Sequence, residues 1–167
     1  MGRVYAMATL VVMGAIAHPC TSLASDSDAQ LPLLHLSDFT YEGAFRLPAD
    51  DFGASSLNYS EGPIAYNADN HSIFIVGHTY QQAIAEFAVP ALVASSTLSE
   101  LPMAAAPIQE FVETLGSVPG GNPQGLNRIG GLKYIVGLNG PELLVNAYEY
   151  YDAPGDNTHS TYAIRDA

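Results

Sequence analysis

A chain of 167 residues with 17 acidic and five basic side chains carries a formal charge of −12. Such a surface repels a phosphate backbone or an anionic bilayer, and with no basic stripe it excludes nucleic acid as a partner. The single cysteine, Cys20, excludes a disulfide framework within the chain.

The chain opens as an export signal. Arg3 gives a positive start, residues 4–17 are apolar, Pro19 ends the run, and Ser22-Leu23-Ala24 places small residues where a signal peptidase reads. The run is shorter than the roughly 20 residues that span a bilayer, so the expectation is cleavage after residue 24 and no membrane span afterwards; an uncleaved signal anchor is the alternative. Ala17-His18-Pro19 before Cys20 does not suit a lipoprotein site. Cleavage leaves about 140 residues, one modest domain, in the periplasm or outside the cell.

Residues 25–37 read as a mobile leader. Residues 38–47 (DFTYEGAFRL) alternate aromatic and polar positions, predicting a strand of a half-exposed sheet. Residues 50–60, mixing Gly, Ser, Asn and Asp, predict a loop. The next stretch predicts a hairpin: residues 64–66, a turn over Asn67-Ala68-Asp69-Asn70, then residues 72–77. Its unbroken Ile73-Phe74-Ile75-Val76 run suits a strand covered on both faces. Residues 83–89 predict a third strand and 108–112 a fourth, with 91–106 as a connector. Six glycines and two prolines within 116–131 predict a loop.

The order then recurs. Residues 131–134, a turn near Asn139-Gly140, residues 142–148 and residues 160–164 follow the earlier hairpin and third strand at an offset of about 68 positions. Tyr66 corresponds to Tyr134, the Ile73 to Val76 run to Leu143-Leu144-Val145, and Phe87 to Tyr162. Asn-Gly is a strong hairpin signal because two-residue turns need positive φ. Units of three or four antiparallel strands joined by polar turns predict an all-β chain whose sheets are blades of a β-propeller over residues 38–167. An ordinary meander or sandwich is the alternative. Propellers have at least four blades and this length supplies about two, so the expectation is an incomplete ring, the N-terminal portion of a longer protein.

The stretches IAYNADNHSIFIVGH and VNAYEYYDAPG also resemble exported bacterial proteins with propeller-like repeats, many without a known function. The resemblance covers residues 38–167 and implies the fold, with no activity attached to it.

Chemistry concentrates at the strand ends. His78 closes the second strand and precedes Thr79-Tyr80-Gln81-Gln82; Tyr148 closes the corresponding strand and precedes Glu149-Tyr150-Tyr151-Asp152. If the units are related, both tips face the same side. His78, Tyr80, Gln82, Tyr148, Tyr150, Tyr151 and Asp152 are therefore the candidate ligand-binding residues: rings stack on sugar C–H faces while amide and carboxylate groups take hydroxyls. Tyrosine also caps sheet edges structurally. The expected function is a non-catalytic binding or scaffold module, with a carbohydrate or another extracytoplasmic protein as partner. The competing expectation is a carbohydrate-active enzyme, a lyase or glycoside hydrolase, with His78 as base, Tyr148 or Tyr150 as acid and Arg128 neutralising a uronate.

Other chemistries lack support. His35, His71, His78 and His159 have no zinc spacing. Asp152, Asp156 and Asn157 offer oxygens for calcium, but in the order of an ordinary exposed turn. No metal or cofactor is expected. No GxSxG is present, and Gly120-Gly121-Asn122-Pro123-Gln124-Gly125 lacks the Lys-Ser/Thr of a phosphate loop. Asn58-Tyr59-Ser60 and Asn70-His71-Ser72 match the glycosylation acceptor pattern, relevant in a eukaryotic secretory pathway.

Overall fold

The unbroken apolar run predicted to lie between two layers does so: Phe74, Ile75 and Val76 are all buried. In the computed structural model, which describes residues 33–138 and 140–165, they form the second strand of a four-stranded antiparallel sheet. The export signal, Cys20 and the leader up to residue 32 lie outside the described residues. Residues 33–39 hold one short turn, Leu36–Asp38, in which the His35 N–H donates to the Asp38 carboxylate at 2.7 Å. A separate compact unit begins at Thr40.

The first sheet has the order β1 (Ile64–Asn67), β2 (Ser72–Val76), β3 (Ala83–Ala88) and β4 (Gln109–Glu113). The second has β5 (Arg128–Gly137), β6 (Gly140–Tyr148) and β7 (Thr161–Arg165), again antiparallel. The chain is thus all-β. The two sheets stack face to face, and the described residues close no ring. Ala65, Phe74, Val76 and Ile84 of the first sheet meet Leu143, Val145, Ala147 and Tyr162 of the second in one core. Phe74 stacks on Tyr134 with ring centroids 6.1 Å apart. A second core lies behind the first sheet, where Ile75, Ala85, Phe87 and Phe111 pack against Leu47, Phe52 and Leu57. Burying each of these large side chains contributes roughly 1.5–3 kcal/mol.

β1 and β5 pack against each other from the two sheets, and contacts at both of their ends set them running the same way. Gly62, just before β1, and Arg128, the first residue of β5, line one cavity. At the far end the Tyr134 hydroxyl of β5 donates to Asp69, just after β1, at 2.7 Å. Register gives matching pairs: Tyr66 lies opposite Ile73, and Tyr134 opposite Leu143. The residue opposite Leu143 on the third strand is Ile164, the place that Phe87 holds opposite Ile73. Tyr162 instead stands opposite Val145, so the sequence match of Phe87 with Tyr162 is off by two positions on the same face. The Leu143-Leu144-Val145 run also differs from its counterpart: Leu143 and Val145 are buried and Leu144 only partly so.

Two sequence expectations change. Residues 38–47 form no continuous strand; Ala44 bridges Val93 and Arg46 bridges Met103. Their partners belong to the irregular connector, which offers no ladder to extend. Gly43, at φ +136, sits so close to Val93 that a Cβ would meet its backbone at 2.8 Å. The glycine-rich segment, read as loop through residue 131, is already β5 from Arg128. A bulge between Ile129 and Gly131 takes up the misfit.

Candidate functional site

The candidate residues gather at one end of the two sheets, where β2 turns into β3 and where β5 begins beside the end of β6. The β2–β3 turn closes because the His78 carbonyl accepts the N–H groups of Gln81 and Gln82 at 3.0 and 3.1 Å. Gln82 takes a left-handed conformation, φ +51. Gly77 is required just before it, since a Cβ there would lie 2.5 Å from Ser55 Oγ and 2.8 Å from the Phe111 ring. The preceding loop is pinned to the same strand end by its serines: Ser55 Oγ accepts the His78 N–H at 2.9 Å, and Ser60 Oγ donates to the Val76 carbonyl at 2.6 Å.

This pinning carries Tyr59 into the site. Tyr59 has φ +52, a conformation disfavoured for a bulky side chain, and its carbonyl accepts the Thr79 N–H at 3.2 Å. Its ring meets His78 edge-on at 5.7 Å between centroids, and the Tyr80 ring lies tilted to the imidazole at 5.4 Å. His78 Nδ1 accepts the Tyr80 N–H at 3.2 Å. With Nδ1 accepting, a neutral ring carries its proton on Nε2.

The second sheet supplies the other wall. Asn127 donates its N–H to the Tyr148 carbonyl at 3.0 Å and accepts the Tyr150 N–H on its side chain at 2.9 Å, fixing the chain as it leaves β6. The Tyr148 ring lies over Gly130, where a Cβ would stand 3.0 Å from it. Arg128 lays its guanidinium over the Tyr150 ring at 5.3 Å and donates to the Asn127 carbonyl at 2.8 Å. A cavity of about 70 Å³ opens between the sheets, lined by Glu61, Gly62, Thr79, Gln82, Arg128, Ile129, Tyr148 and Tyr150.

Four of the residues singled out from sequence therefore share one cavity: Gln82, Arg128, Tyr148 and Tyr150. His78 does not line it, although its neighbour Thr79 does. Gln82 is buried, donates to the Thr79 carbonyl at 2.7 Å and accepts the Ile129 N–H at 2.6 Å, so both ends of its amide are engaged. Tyr80 and Tyr151, each next in the chain to a lining residue, stand exposed. Asp152 turns away into its own loop, where its carboxylate accepts N–H groups of Gly155 and Asn157 at 2.9 and 3.4 Å. Partial desolvation works to raise this carboxyl, and the hydrogen bonds from Asn157 and from the N–H groups of Gly155, Asn157 and Asp156 outweigh it, leaving the group below the ordinary aspartate value. Among the described residues no three His, Cys, Asp or Glu side chains assemble into a metal-holding group.

Tyr59 and Glu61 are site residues that sequence reasoning passed over. The available signal was an aromatic and an acid inside a Gly/Ser/Asn-rich loop directly before a strand. A larger gap of about 190 Å³ lies elsewhere, lined by Phe74, Ile84, Val112, Leu143 and Ile164 together with the polar Gln109, Glu113, Thr114 and Ser117. No family model, curated protein or solved structure matches this chain.

Proposed function

We propose that the chain is an exported, non-catalytic binding module whose contact surface is the tyrosine-bearing end of its two stacked sheets. One observation carries the reading: Tyr59, Tyr80, Tyr148, Tyr150 and Tyr151 are between 46% and 81% exposed at that end. Tyrosine gives large contact area with only two side-chain torsions to order, which suits recognition. Structural capping alone leaves rings packed along sheet edges; here four of the five stand at least 70% in solvent. A propeller framework is the architecture we infer. It is supported by the parallel run of β1 and β5 and by Tyr66 and Tyr134 holding matching register positions. Export rests on the N-terminal charge, apolar run and small-residue site.

The competing enzyme reading has less behind it, because His78, its base, does not line the cavity that holds Arg128, Tyr148 and Tyr150. The test is a binding screen of the full chain by biolayer interferometry against oligosaccharides, peptides and purified envelope proteins. A specific ligand is expected to lose affinity with Tyr80→Ala and Tyr150→Ala combined, and to be unaffected by Tyr66→Ala at the opposite end. A ligand lost on Tyr66→Ala and kept by the double variant overturns the assignment of the surface. Ligand breakdown that stops with His78→Ala overturns the non-catalytic reading.

A further inference from the structure

Glu61 and Arg128 line the same small cavity, yet they form no ion pair with each other; among the described residues the ion pair found is Arg165 with Glu142 at 3.1 Å. Arg128 is held in place by the Tyr150 ring and the Asn127 carbonyl, which engage one face and one Nη1 donor. Its remaining N–H groups make no hydrogen bond to the described residues. An acceptor-only carboxylate and a donor-only guanidinium thus share a space without neutralising one another. From this we infer that the tyrosine-bearing end recognises an uncharged saccharide, with hydroxyl groups of one sugar ring entering the cavity to accept from Arg128 and donate to Glu61, and the exposed tyrosines covering C–H faces outside it. The inference rests on the reading of this end as a binding surface.

Three observations select that ligand class. A hydroxyl both donates and accepts, so adjacent hydroxyls satisfy the opposed groups together. A uronate entering the cavity meets Glu61 and the −12 charge of the chain, while an amino sugar meets Arg128. Size agrees: about 70 Å³ admits a few water-sized groups but not a whole ring, so the ring itself lies against the rim tyrosines. Against a protein partner stands Glu61 alone, because acidic side chains are depleted from protein interfaces while tyrosine and arginine are enriched there.

The experiment is titration calorimetry of the full chain with neutral oligosaccharides (gluco-, xylo- and manno-configured) and with uronate-containing ones of matched length. Circular dichroism confirms that each variant folds. Saturable binding of a neutral oligosaccharide is expected. Arg128→Met and Glu61→Gln should each weaken it about tenfold, the loss of a charge-assisted hydrogen bond. Tyr150→Ala should weaken it similarly, and Tyr66→Ala should leave it unchanged. Absence of binding to every neutral oligosaccharide, or preference for the uronates with Glu61→Gln tightening them, overturns the inference. A peptide or protein ligand that is lost on Tyr80→Ala with Tyr150→Ala also overturns it while leaving the binding surface standing. A neutral saccharide whose affinity survives all the tyrosine variants overturns both.

Discussion

The side-chain carbonyl of Gln82 accepts the backbone N–H of Ile129 at 2.6 Å, and its amide donates to the Thr79 carbonyl at 2.7 Å. One buried amide therefore ties the start of β3 to the start of β5, across the two sheets and directly beneath the cavity. Replacing Gln82 with Leu keeps the volume and strands the buried Ile129 N–H, which costs about 1–3 kcal/mol. Gln82 also sits at φ +51, so the new side chain inherits the conformational cost without the bond that offsets it. Urea denaturation should show the midpoint falling, with ligand affinity reduced as the cavity walls separate. An unchanged midpoint means that the two sheets are held by their apolar faces alone.

At the opposite end Glu86 is nearly fully buried, and one of its oxygens accepts from Asn67 at 2.9 Å, from Asn70 at 3.3 Å and from the Ser72 hydroxyl. This carboxylate organises the β1–β2 turn, whose Asn67 side chain in turn accepts the N–H groups of Asp69 and Asn70. Glu86→Ala leaves the buried Asn67 amide and Ser72 hydroxyl without their acceptor, an expected loss of about 3 kcal/mol. Glu86→Gln keeps an acceptor oxygen and should lose less than half as much. Equal losses for the two substitutions, measured by denaturant unfolding, would show that charge rather than hydrogen-bond acceptance holds the turn.

Much of the first sheet was legible because its signals are local. The Ile73 to Val76 run, the polar Asn67 to Asn70 turn and the third strand each declare themselves within a few residues. What was not legible depended on distant partners. Residues 38–47 have strand-like alternation, yet their neighbours are the connector residues Val93 and Met103, whose irregularity no local window reveals. Gly130 and Gly131 were counted as loop residues by composition. Gly130 instead leaves room for the Tyr148 ring inside a bulged strand, a meaning that glycine takes only in context. The site divides the same way. Tyr148, Tyr150 and Gln82 stand at strand ends that comparison of the two units picks out, whereas serine bonds bring Tyr59 to His78 and Glu61 to the cavity from a loop that reads as plain connection.

Stability should fall in alkali in a way that depends on Tyr134. Its hydroxyl donates to Asp69, and losing the proton forfeits that bond; burial and the charges of Asp69 and Glu86 oppose the phenolate further, so its pKa lies above the ordinary tyrosine value. Tyr162 is raised as well, by burial, with its hydrogen bond to Thr114 opposing in part. The sign follows directly. Above about pH 10 the unfolded tyrosines release protons that the folded ones retain, so stability present below that pH is lost as pH rises. Thermal melts from pH 8 to 11 should show Tyr134→Phe losing less between those limits than the parent. Parallel curves for the two proteins would remove the Tyr134 to Asp69 bond from the account.

Tyr59 separates stability from binding most cleanly. Its left-handed backbone costs a non-glycine residue roughly 1–2 kcal/mol, and at 80% exposure its ring recovers little of that by burial. Residues held in such conformations concentrate at functional sites. Tyr59→Gly removes the penalty, while the added freedom of the unfolded glycine takes back about 0.5–1 kcal/mol. The expected outcome is a protein as stable as the parent or slightly more so that binds its ligand several-fold more weakly, read by unfolding and by calorimetry on the same samples. A marked loss of stability would instead mean that the ring's edge contact with His78 holds the turn together, and that Tyr59 is a structural residue.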